Sequence, residues 1–169
     1  MLRQFCIACT LALSLGAQVT STRPSFGDFP VKEVFRGEPV TPKLVTRGER
    51  MFRTRIRNGA KGPVEFAGHY TLPRWGCGAG CIGFGIVDSI TGRVYEVPFS
   101  LEDLPYPWLD KHEGEGHQRM DYRPDSRLMK FDACLNEVGC GFYDYAMVDG
   151  KGLKLLRREL LPPEFQPKR

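Results

Sequence analysis

The residues with the most reactive chemistry in this 169-residue chain are three histidines and six cysteines. His69 sits in the run Phe66–Leu72, where alternation puts it on the face opposite Phe66 and Tyr70. A general base needs an oriented partner and a nucleophile within reach. No serine stands in a nucleophile-elbow context, so His69 is expected to be structural, hydrogen-bonded under a neighbouring Cys-bounded loop. His112 and His117 lie in Lys111-His112-Glu113-Gly114-Glu115-Gly116-His117. Two imidazoles and two carboxylates are ligand types for a metal. The glycines leave them without a fixed scaffold, so a solvated acidic loop is expected, with neither metal nor cofactor.

Cys77, Cys81, Cys134 and Cys140 fall in two short spacings, C-x3-C and C-x5-C. Zinc knuckles use a tighter C-x2-C, so the spacings favour two local disulfides, Cys77–Cys81 and Cys134–Cys140, over a metal. Cys6 and Cys9 belong to the leader. Met1-Leu2-Arg3-Gln4, the apolar stretch Phe5–Leu15 and Gly16-Ala17 have the plan of a secretory signal peptide, cut after Ala17. The apolar stretch is too short to span a bilayer. Export to an oxidising space agrees with disulfides, so the expected location is periplasmic or secreted.

Gly78-Ala79-Gly80-Cys81-Ile82-Gly83 matches G-x-G-x-x-G letter for letter. A dinucleotide fingerprint needs a helix next, and a β-like run follows instead, so the match is coincidental. What the sequence does gather near loops is aromatic and cationic: Tyr70, Arg74, Trp75, Tyr106 and Trp108. Such side chains anchor binding surfaces, and they also fill cores. The expected binding residues are His69, Tyr70, Arg74, Trp75 and Trp108. Arg74 and Trp75 form the loop-end site, beside glycines that leave backbone N–H groups uncovered.

These residues need a scaffold. Residues 18–40 read as an extended, Pro-dotted segment with a possible short strand near Val31–Phe35. Thr41-Pro42 resembles a helix start, and Leu44, Val45, Met51, Phe52 and Ile56 fall near helical period up to Asn58-Gly59. The other face of that helix is basic. Arg47, Arg50, Arg53 and Arg57 suggest weak contact with an anionic surface, although a plain solvated face is the simpler reading. From Phe66 the texture is β, with hairpins turning at Ser89–Gly92, Pro124-Asp125 and Asp149–Gly152. Residues 101–118 read as a long irregular stretch. The predicted fold is α+β: an antiparallel meander sheet or partly open barrel of about six or seven strands, with one N-terminal amphipathic helix. The domain spans 41–161, followed by a tail, 162–169.

The motif Phe66-Ala67-Gly68-His69-Tyr70, then Trp75-Gly76-Cys77-Gly78-x-x-Cys81, then Thr91-Gly92-Arg93-Val94-Tyr95, resembles a family of exported proteobacterial proteins without an assigned activity. Tyr122–Leu128 is similar to that family's second half. The resemblance implies compartment and a shared β fold. A looser likeness is to the periplasmic inhibitor of vertebrate lysozyme, a small exported β domain with a Cys-closed protruding loop. Its inhibitory loop carries a histidine, and Cys77–Cys81 here is shorter and has none.

Composition sets the outer limits. Hydrophobic residues at 41% and charged residues at 26% belong to a globular chain. A formal charge of +4 is too small to indicate nucleic acid. The reading is therefore a non-catalytic binding protein of the bacterial envelope, with an envelope protein or polymer as partner. The alternatives are an inhibitor or immunity protein against a cell-wall hydrolase, and an envelope hydrolase using His69.

Overall fold

The computed structural model describes residues 22–167 apart from Gly114 and Glu137. The predicted leader, with Cys6 and Cys9, lies outside the described residues.

The fold is α+β, built on an open antiparallel sheet. Its spine is three long strands: β3 (Cys81–Asp88), β7 (Leu128–Leu135) and β8 (Gly139–Val148). One edge of β3 takes β1 (Tyr70–Thr71) and β2 (Arg74–Gly78) in succession. The other takes β4 (Val94–Glu96) and β5 (Leu101–Glu102). β5 also pairs with β7, as does β6 (Asp121–Tyr122), and β9 (Gly152–Leu160) closes the order against β8. The described residues thus hold nine strands where the sequence pattern suggested six or seven. The excess is β2 and β5, which form within the Gly-rich Cys-bounded loop and at the start of the stretch expected to be irregular.

The period-2 pattern explains the core. On β7, Met129, Phe131, Ala133 and Leu135 are buried, while Lys130, Asp132 and Cys134 alternate outward. They meet Tyr143 of β8 and Phe84 and Ile86 of β3. The sheet curls until β4 approaches the β8–β9 turn. There the Gly150 N–H donates to Tyr95 Oη at 3.2 Å and Tyr70 Oη donates to Asp149 Oδ1 at 3.0 Å.

The helix departs from expectation. Thr41-Pro42 does not start it. Thr46 does, in a capping box with Glu49, giving α1 (Arg47–Met51), and α2 (Arg53–Gly59) follows across a break at Phe52. Phe52 and Ile56 turn inward, but Val45 and Met51 stand 73% and 69% exposed. Phe66–Leu72 is not one strand either: Ala67 and Gly68 take φ of 45° and 84°, and Phe66 folds back to bridge Tyr70.

The stretch near 31–35 forms no strand but is held to the domain, with Phe35 N–H donating to Gly68 O at 2.7 Å. The irregular stretch after β5 contains α3 (Tyr106–Leu109), pinned by Trp108. Trp108 packs with Leu104, Cys140 and Leu161 on the outer face of β7 and β8. The segment after β9 is tied to this cluster: Gln166 Oε1 accepts the Cys140 N–H at 2.8 Å, and Phe165 packs against it.

Candidate functional site

Both disulfides have the pairing that the spacing favoured, Cys77–Cys81 and Cys134–Cys140. Cys134–Cys140 lies against the Trp108 cluster. Cys77–Cys81 staples the exposed tip of the β2–β3 hairpin, where Ala79 and Gly80 turn the chain. The first two glycines of the G-x-G-x-x-G match serve that turn, with Gly78 at φ 148° and Gly80 at φ 69°. A strand, not a helix, follows them.

The expected binding residues do not converge. His69 belongs to the turn before β1, beside Asp88 at the far end of β3 from the Cys77–Cys81 tip, so it does not support that loop. Its ring packs on Tyr70, with centroids 4.1 Å apart, and Nε2 lies 4.0 Å from Asp88 Oδ2. The Asp88 carboxylate already accepts from the Ile90 and Thr91 N–H groups and from Thr91 Oγ1, so it organises the β3–β4 turn. Tyr70 and Trp108 are interior, 1% and 5% exposed, which removes both from any solvent-facing surface. Burial and the bond to Asp149 push the Tyr70 phenol well above its usual range.

Arg74 and Trp75 are neighbours in sequence and opposites in space. Strand alternation sends Arg74 to the core-side edge, where its guanidinium donates to Glu65 Oε1 at 3.3 Å and to Tyr122 Oη. Trp75 goes to the helix side. It faces Gly83 across the β2–β3 ladder, and its indole lies over Gly83 and Gly85. A Cβ on Gly83 would overlap Trp75 Nε1, so the bare strand makes room for the ring. Phe52 from the α1–α2 break stacks on the outer surface of the indole. Ile56, Val87 and Val94 complete this layer.

Beside the stack, between α1–α2 and β4, opens an apolar groove of about 470 Å³. Phe52, Ile56, Trp75, Phe84, Val94, Tyr95, Val97 and Pro98 line it, and among the described residues its charged lining residues are Glu49 and Glu96. Glu49 is nearly buried, its Oε2 accepting from the Val45 and Thr46 N–H groups. Glu96 accepts from Thr46 Oγ1 at the mouth. A larger and more polar hollow of about 700 Å³ adjoins the groove along β4 and shares Glu96 and Val97. Concave, mostly apolar sites with a few polar groups are the usual form of small-ligand pockets.

The sequence pointed to Trp75 but missed the groove's other wall. The available signal was Gly83-Phe84-Gly85, two glycines on one strand face opposite a tryptophan. His112 is also ordered: it stacks on Trp108 with centroids 4.1 Å apart, and Nδ1 lies 2.8 Å from Trp108 O. His117 Nδ1 lies 3.5 Å from Asp132 Oδ2, so both histidines pack on the domain, while Lys111, Glu113, Glu115 and Gly116 are exposed as expected of a solvated loop. Among the described residues no group of three or more His, Cys, Asp or Glu side chains is placed to hold a metal ion. The two disulfides fit an oxidising compartment, and among the described residues no helix is long and apolar enough to cross a membrane. Compared with known proteins, the chain matches no family model and has no significant match among curated sequences or solved structures.

Proposed function

We propose that this is a non-catalytic binding protein of the bacterial envelope, periplasmic or secreted, and that its ligand occupies the groove beside Trp75. The observation that carries this reading is the open groove against an aromatic stack that is already formed. A preorganised site loses little entropy on binding. The lining favours an apolar ligand, neutral or cationic, because an anionic group would meet Glu49 and Glu96 with no cation in the wall. The leader-like N-terminus and the disulfides support the compartment.

The test is equilibrium binding of N-phenyl-1-naphthylamine, a neutral apolar fluorophore. The wild-type protein should bind it at one saturable site. Val97→Trp, which fills the groove from its wall, should lose that binding while keeping its melting temperature. Equal binding by both proteins would refute the assignment.

A further inference from the structure

We propose that the outward face of α1–α2 docks on an anionic lipid surface, with Met51 and Val45 entering the headgroup layer. Residues 43–61 hold seven cationic side chains, Lys43, Arg47, Arg50, Arg53, Arg55, Arg57 and Lys61, against one acid, Glu49. That excess is larger than the formal +4 of the whole chain, so the remainder is net acidic and the positive charge is polarised onto this segment.

All seven cations are exposed, and Glu49 is turned inward as the capping-box acid. Among the described residues none of the five arginines forms an ion pair; Arg50 donates only to Val45 O. Two acids border this side: Glu38 shares a hollow with Arg53, Arg57 and Lys61, and Glu96 accepts from Thr46 Oγ1 at the start of α1.

Helical geometry orders the face. The Phe52 N–H donates to Gly48 O and closes α1, the Ile56 N–H donates to Phe52 O and opens α2, and the burial of each side chain gives the face it is on. Glu49, Phe52 and Ile56 point at the sheet, and Arg47, Met51, Arg55 and Asn58 point away from it. Met51 therefore stands among guanidiniums with 69% of its surface open, and Val45 is 73% open just before the helix. Plain solvation explains the arginines but gives no reason for two apolar side chains between them. A polyanion such as nucleic acid would reward only the charge. An anionic bilayer rewards both, the charge at the phosphates and the apolar tips just below them.

The test is sedimentation with vesicles of phosphatidylcholine, with and without a third phosphatidylglycerol. The protein should partition at least tenfold more strongly to the anionic vesicles, and salt should weaken it. Each arginine near such a surface contributes roughly fivefold. Arg47→Glu/Arg55→Glu should thus abolish the preference with the fold intact by circular dichroism. Met51→Ser, which leaves the charge unchanged, should lower vesicle partition several-fold and leave retention on heparin unchanged. If Met51→Ser partitions like wild type, or if anionic and neutral vesicles are bound equally, the proposal is wrong. The first result would make the face a polyanion site.

Discussion

Trp75 and Phe52 stack with ring centroids 4.4 Å apart and planes within 12°. The contact joins the break between the two helices to β2, and the indole covers Gly83 and Gly85 of β3. It also forms one wall of the groove. Stability and ligand binding therefore meet in one pair of side chains, and they can be separated by mutation.

Trp75→Ala should cost about 2–4 kcal/mol, toward the lower end for a large aromatic because the indole is only part-buried. Phe52→Ala should cost less. A double-mutant cycle read by urea unfolding should give a coupling of about 0.5–1.5 kcal/mol, the usual range for an aromatic pair. Additive losses would mean that the rings are neighbours without a mutual contribution.

Gly83→Ala places a Cβ against Trp75 Nε1 and within 2.9 Å of Cε2. The indole must shift, at a cost of about 1–3 kcal/mol. In the Trp75→Ala background the same change should be neutral or stabilising, since the obstruction has gone and alanine suits a strand better than glycine. A similar loss in both backgrounds would show that Gly83 is needed for its backbone.

The two disulfides should differ in weight. Cys77–Cys81 closes a hairpin whose two-residue turn already fixes its ends, and short loops gain little from cross-linking. Cys134–Cys140 also packs under Trp108. Replacing Cys77 and Cys81 by Ser should lower the melting temperature less than replacing Cys134 and Cys140. The reverse order would contradict this assignment of roles.

Alkaline pH should unfold the protein. Burial, then the neighbouring Tyr145, pushes the Tyr143 phenol up to about 12, and Tyr70 is raised further by burial and its bond to Asp149. These folded-state values lie above the unfolded value of about 10. The stability they contribute is full below pH 10 and is lost as pH rises toward the folded values. The slope is about 1.4 kcal/mol per pH unit for each such tyrosine. Urea midpoints measured from pH 8 to 11.5 should be flat and then fall. A flat profile throughout would mean that these phenols ionise freely.

The β texture was legible because β3, β7, β8 and β9 carry their own alternation or turns. Both disulfides were legible from the spacing together with the leader-like N-terminus, which leaves four cysteines and an oxidising compartment. The helix start was not. Thr41-Pro42 and Thr46-x-x-Glu49 both look like caps, and the choice depends on Pro42 being buried while Lys43 bridges Arg93. Met51 fitted the apolar period, but the break at Phe52 and the placement of Ile56 set the inward face without it. Arg23 shows the same limit. It reaches Asp132 at 2.7 Å and the fully buried Asp144 at 2.8 Å, contacts more than a hundred residues away that no local pattern signals.

The most direct measurement uses the two indole N–H resonances, Trp75 at the groove and Trp108 in the interior. Titration with N-phenyl-1-naphthylamine should shift the Trp75 signal to saturation and leave Trp108 in place. A Trp75 signal that stays fixed while the fluorophore binds, or a shift confined to Trp108, would contradict the groove as the binding site.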